Sequence, residues 1–133
     1  MADVVQVPIR SDADIVTVRQ RARQLAKELG FSTSELTMIA TAISELARNI
    51  VEYARQGEMT LSRINQGSHR GLIIIARDRG PGIADVERAL QDGYSSGKGL
   101  GLGLPGTKRL MDEFEIVSKQ GQGTTVRVAK WVR

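Results

Sequence analysis

Glu45 and Asn49 stand four residues apart in the run Ile43-Ser44-Glu45-Leu46-Ala47-Arg48-Asn49-Ile50. On an α-helix that spacing puts the two side chains about 40° apart on one face. This face lies well over 90° from the centre of the apolar stripe formed by Ile39, Ile43, Leu46 and Ile50, roughly a quarter-turn or more by helical geometry. The pair can therefore look into a cleft while the helix packs. A carboxylate beside an amide oxygen can hold Mg2+ or orient a nucleophile. The bland alternative is a solvated polar face, which is the commoner fate of an isolated acid and amide at this spacing.

Two further segments carry chemical possibilities. Asp78-Arg79-Gly80-Pro81-Gly82 follows the apolar run Leu72-Ile73-Ile74-Ile75-Ala76. A carboxylate at the end of a buried strand costs solvation unless it receives a donor. A ligand amino group could be that donor, and the two glycines would let a flat ring approach the backbone. The alternative is an Asp-initiated turn capping the strand. The second segment, Gln91 to Leu104, holds five of the chain's 14 glycines. Gly97, Gly99, Gly101 and Gly103 alternate into a helix start, where exposed N–H groups and the helix dipole make an anion site. A flexible linker is the competing reading.

Familiar phosphate loops fail here on context. Gly101-Leu102-Gly103-Leu104-Pro105-Gly106 matches the dinucleotide fingerprint in letters. It comes late, follows no first strand of a βαβ unit and has no ribose-binding acid about 20 residues on. Gly93 to Lys98 is one residue short of a Walker A loop and has Gly99 where a Mg-binding hydroxyl is needed.

The elements that must position these residues are legible from periodicity. Val4 to Ile9 reads as an edge strand, and a helix over 12–29 follows, opened by a Ser11/Asp14 capping signal and closed by Gly30. Ser32 and Glu35 open a second helix over 33–55. Strands over 58–65 and 72–78 are joined by a polar loop, Gln66 to Gly71, with His69 as an exposed loop residue. A short helix is expected over 84–90, and a third from Pro105 to about Asp112. Strands at 115–117 and 124–132 pair across Gln120 to Gly123. Strands in runs and helices in runs predict a single α+β domain over 1–133, a two-layer sandwich with a mixed, mostly antiparallel sheet and helices on one face.

Composition narrows the function. The absence of cysteine excludes disulfides, thiolate metal sites and a cysteine nucleophile. A net charge of +4 suits an anionic partner, but aromatics are only 4% and no helix gathers the basic residues into a reading face. Nucleic acid is therefore not the expected partner. No run approaches the roughly 20 apolar residues of a membrane span, and the start has no export-signal pattern. The expected setting is the cytoplasm, with no membrane partner.

Taken in order, the three boxes and Gly123-Thr124-Thr125 resemble the GHKL ATPases, the superfamily of gyrase, MutL and histidine kinases that shares the Bergerat nucleotide fold. Ile43 to Ile50, Asp78 to Ile83 and Gly103 to Phe114 look like the RsbT-type serine/threonine kinases of bacterial stress signalling. The similarity runs from Asp14 to the end of the chain.

The resemblance implies ATP and Mg2+ as cofactors, Asn49 as metal ligand and Glu45 as general base. It implies that Asp78 binds the adenine amino group with help from Thr124, and that Gly80 and Gly82 contact the base. The segment from Gly97 to Gly106 would be the ATP lid. Lys98 is added as a phosphate contact for its flexible point charge. Larger superfamily members need further domains, and a histidine kinase needs a phosphoacceptor helix. Two functional classes remain. One is a kinase acting on STAS-domain proteins of the RsbS/RsbR kind and then activating a PP2C-type phosphatase. The other is an anti-sigma-factor-like regulator that sequesters a partner with little catalysis.

Overall fold

The computed structural model describes residues 3–82 and 103–133. Five strands form one sheet, β1 (Asp3–Ile9), β2 (Gly57–Gln66), β3 (His69–Asp78), β4 (Glu113–Lys119) and β5 (Gly123–Trp131). Their spatial order is β1-β2-β3-β5-β4. All four pairings are antiparallel, the limiting case of the mostly antiparallel sheet expected.

Helices α1 (Asp12–Leu29), α2 (Thr33–Asn49) and α3 (Gly103–Leu110) complete the described fold. The expected short helix over 84–90 lies outside the described residues. Strand alternation shows which face the helices cover. Val7, Ile9, Met59, Leu61, Leu72, Ile74, Ala76, Val126 and Val128 are buried and meet the buried stripe of α2, Ile39, Ile43, Leu46 and Ile50.

Local signals explain most boundaries. Glu35 N–H donates to Ser32 Oγ at 3.2 Å and Ser32 N–H to Glu35 Oε1 at 3.0 Å, a complete capping box. The bond from the Ser32 backbone holds the Glu35 carboxyl below its usual range. The Ser11/Asp14 signal behaves differently. Ser11 makes no side-chain cap, and Asp14 Oδ2 instead accepts from Arg10 N–H at 2.8 Å. Gly30 closes α1 in the left-handed conformation, φ 96°.

Four expectations need correction. The second helix does not run as one α-helix to residue 55: it ends at Asn49 and continues as a π-helical turn, Ile50–Ala54. The six-residue hairpin loop shrinks to a turn at Gly67 and Ser68, because β2 and β3 pair out to Gln66 and His69. His69 is therefore a strand residue, stacked on Trp131 with ring centroids 4.1 Å apart. Gly71 makes room for that indole, since a Cβ there would come within 2.3 Å of it. The third helix spans 103–110 rather than 105–112, and β4 begins at Glu113, two residues before the expected 115.

The chain end is tied back to this region. Asp112 accepts Trp131 N–H at 2.8 Å and Arg133 Nη2 at 2.6 Å, while Lys130 Nζ donates to Leu110 O at 2.9 Å at the C-terminus of α3. Burial pushes the Asp112 carboxyl up, but the Trp131 and Arg133 donors outweigh it and leave its pKa below the ordinary 3.8. A carboxyl depressed by folding stabilises the native state fully above its unfolded pKa, and that contribution fades as pH falls through the folded value. Asp112→Asn is expected to lower unfolding free energy by about 1 kcal/mol at neutral pH. Its deficit against the parent should shrink below pH 3.8. Urea unfolding at pH 7 and near pH 3, at approximately those two values, reads both effects.

Candidate functional site

The C-terminal end of α2, the end of β3 and the start of β5 meet at one corner of the sandwich. Gly57 packs at that corner: a Cβ on it would lie 2.9 Å from Ile50 Cγ2 and 3.1 Å from Asp78 Cβ. The residue that follows Asn49 and the carboxylate box are thus brought within van der Waals range of the same point.

Glu45 is only 1% exposed, so the solvated-face alternative does not hold for it. Asn49 is half-buried at the last turn of α2, and its Oδ1 is buried with no hydrogen-bond partner among the described residues. A buried carbonyl oxygen left unmatched costs roughly 1–3 kcal/mol, so this one calls for a donor, a cation or a water. A hard divalent cation suits such an oxygen. Among the described residues no group of three or more His, Asp or Glu is placed to hold a metal.

The π-helical turn begins immediately after Asn49, and such turns recur at functional sites. It lowers Ala54 onto the Asp78 loop: a Cβ on Gly80 would come within 2.6 Å of Ala54 Cβ. The turn ends at Arg55, the one non-glycine residue with positive φ among those described, at 70°.

Asp78 Oδ1 accepts Gly80 N–H at 2.8 Å, so the Asp-initiated turn exists. A carboxylate has a second oxygen and further lone pairs, and the turn leaves capacity for a ligand amino group. Across the sheet Asp78 is paired with Thr124. Thr124 Oγ1 lies 2.8 Å from Ser118 Oγ, which in turn donates to Gly123 O at 3.2 Å.

The glycines of this loop also have protein neighbours. Gly82, at φ 76°, presses against Lys119, whose carbonyl oxygen lies 2.2 Å from where a Cβ would stand. Gly121 N–H donates to Pro81 O at 2.6 Å. Gly123, at φ 108°, leaves the same 2.2 Å clearance to Asp78 O. The carboxylate loop is clasped by the β4–β5 turn on one side and the π-turn on the other.

Gly103 opens α3 at φ 54°, and its carbonyl accepts from the buried Thr107 hydroxyl at 3.0 Å. Gly97, Lys98, Gly99 and Gly101 lie outside the described residues. The structure brings Asp78, Gly80, Gly82 and Thr124 together at this corner, and Glu45 and Asn49 lie on the helix whose continuation, Ile50–Ala54, reaches it. Sequence reasoning missed Gly57, whose signal was only that of a turn glycine, and the π-turn, which has no letter signature. It also passed over Arg48, whose Nε is buried without a hydrogen-bond partner.

The sequence profile of the histidine kinase-like ATPase domain matches residues 9–130, and the chain belongs to that family. Over all 133 residues it is 50% identical to the serine/threonine-protein kinase RsbT of Bacillus subtilis (strain 168), with both chains covered completely. The protein is accordingly an ATP-using serine/threonine protein kinase of the RsbT type. An anti-sigma F factor of Caldanaerobacter subterraneus subsp. tengcongensis is 32% identical over 111 residues, covering 80% of this chain and 78% of that one. The fold also matches the crystal structure of the RsbU and RsbW domains of Rv1364c from Mycobacterium tuberculosis, with a TM-score of 0.67 and 22% identity. All of this chain is covered in that match, and a third (33%) of the larger one.

Proposed function

We propose that the kinase transfers the terminal phosphoryl group of Mg-ATP to a serine or threonine of a STAS-domain partner of the RsbS/RsbR kind, within bacterial stress-response partner switching in the cytoplasm. Once released, it would dock on and activate a PP2C-type phosphatase. The observation that supports this best is the buried, unmatched Oδ1 of Asn49, one α-helical turn from the buried Glu45 carboxylate and beside the Asp78 corner.

Each residue has a separable task. Asn49 Oδ1 supplies a metal ligand, and Asp78 accepts from the adenine amino group, with Thr124 beside it and Gly80 and Gly82 under the base. Glu45 takes the proton of the attacking hydroxyl at its carboxylate. The residues 97–103 carry the lid glycines and Lys98, a point charge for phosphate. Bound Mg2+ neutralises charge developing on the phosphates. The 32% identity to an anti-sigma F factor supports the second reading, a regulator that works by sequestration.

The deciding experiment has two arms. Mg-ATP must first raise the melting temperature, equivalent to about 2.7 kcal/mol at 100 times the dissociation constant. Incubation with candidate STAS proteins should then give phosphoserine or phosphothreonine by mass spectrometry. Nucleotide binding without transfer to any STAS protein would move the assignment to the sequestering regulator. An unchanged melting curve at millimolar nucleotide would remove the Mg-ATP kinase reading.

A further inference from the structure

Arg48 lies between the two residues given roles on α2, and nothing in the fold accounts for it. On the helical wheel Glu45 is central, with Asn49 about 40° to one side and Arg48 about 60° to the other, so all three fall within one arc of about 100°. Arg48 is half-buried, and its Nε is fully buried without a hydrogen-bond partner. No hydrogen bond or ion pair holds its guanidinium among the described residues. Other arginines of the fold are engaged: Arg63 pairs with Glu28 at 2.7 Å, and Arg70 donates to Leu29 O at 2.9 Å.

A guanidinium cannot lose its proton, so an unmatched one taken partly from water cannot relieve its desolvation by titrating. Such a group persists where a ligand supplies the missing acceptors. Its planar fork selects carboxylates and phosphates. Two features of the arc choose between these. A cation at Asn49 and a proton acceptor at Glu45 both serve a group that is anionic and accepts an attacking hydroxyl. A phosphoryl group is both.

We propose that Arg48 binds the terminal phosphoryl group of the nucleotide and so distinguishes ATP from ADP. The assignment rests on the Mg-ATP reading above. Arg48 is a phosphate ligand on the rigid helix, in contrast to Lys98 in the glycine segment.

The test is calorimetric titration of the parent, Arg48→Ala and Arg48→Lys with Mg-ATP and with Mg-ADP, each variant's fold being checked by its melting curve. Arg48→Ala should bind ATP about 10- to 100-fold more weakly while ADP affinity stays within about threefold, as loss of one charge-assisted contact to phosphate requires. Arg48→Lys, which keeps the charge without the fork, should fall between the two. An equal loss for both nucleotides, or an unchanged ATP-to-ADP ratio in a folded variant, overturns the assignment of Arg48 alone. Failure of the parent to bind either nucleotide overturns the Mg-ATP reading and this one with it. Should Arg48→Ala not fold, the ATP-to-ADP ratio of Arg48→Lys decides, and an unchanged ratio there counts against the proposal.

Discussion

Glu45→Gln is expected to slow phosphoryl transfer to the protein acceptor by about 10² to 10⁴ while leaving nucleotide and partner affinity close to those of the parent. The substitution keeps volume and shape in a position that is 1% exposed, so the surrounding packing is preserved. It exchanges a buried acid for an amide, removing the only function that an isostere cannot supply, acceptance of a proton. The melting curve of the variant, set beside that of the parent, checks that the buried position still packs as before. A rate loss in a protein of equal stability and equal affinity can then be assigned to the chemical step. Asn49→Ala makes the contrasting case, because the Mg-dependent part of ATP binding should weaken together with transfer. Label transfer from γ-labelled ATP, measured beside titration of nucleotide with and without Mg2+, separates the two. Full transfer by Glu45→Gln would take Glu45 out of the mechanism.

The parts of the fold that could be read in the sequence are those fixed by neighbours in the chain. Ser32 and Glu35 form their box with each other, and the apolar stripe of α2 is buried as its period demands. The parts that could not be read are fixed by residues far away. Ile50 to Ala54 winds as a π-turn where Ala54 meets Gly80, a contact between residues far apart in the chain. The loop predicted from Gln66 to Gly71 is consumed by strand pairing because Trp131 covers Gly71 and stacks on His69. Asp14 bonds Arg10 rather than completing a box with Ser11, which depends on how β1 enters the helix.

The site divides along the same line. Glu45 and Asn49 are one α-helical turn apart, so their common face was legible. Glycine is harder to interpret, because its letter shows that something approaches closely without showing what. At Gly80 and Gly82 the structure supplies protein neighbours, Ala54 and Lys119, that already demand a missing Cβ. A contact with a base at either position is therefore an added task on a residue that packing alone would keep.

Gly123→Ala should bring a large loss at the carboxylate corner, out of proportion to one methyl group. Its backbone sits at φ 108°, which costs an L-residue about 1–3 kcal/mol before any contact is counted. The new Cβ would also stand 2.2 Å from Asp78 O and 2.8 Å from Arg79 Cα. Neither is the end of a flexible side chain, so the Asp78 backbone itself must move. Overpacking of this kind adds about 1–3 kcal/mol, giving a total of several kcal/mol against a typical domain stability of about 5–15. Asp78 is the cross-strand partner of Thr124, and its displacement should disturb in particular the adenine contacts proposed for this pair. Any folded Gly123→Ala should therefore lose its preference for ATP over GTP as well as affinity. Gly121→Ala supplies the control within the same turn. It has positive φ, 82°, but open space where the Cβ would go, so it carries the backbone strain without the collision. Urea unfolding and nucleotide titration of the pair should show a modest stability loss with normal ATP selectivity for Gly121→Ala, and loss of both for Gly123→Ala. Equal effects from the two substitutions would mean that strain in the β4–β5 turn, and not the position of Asp78, governs this corner.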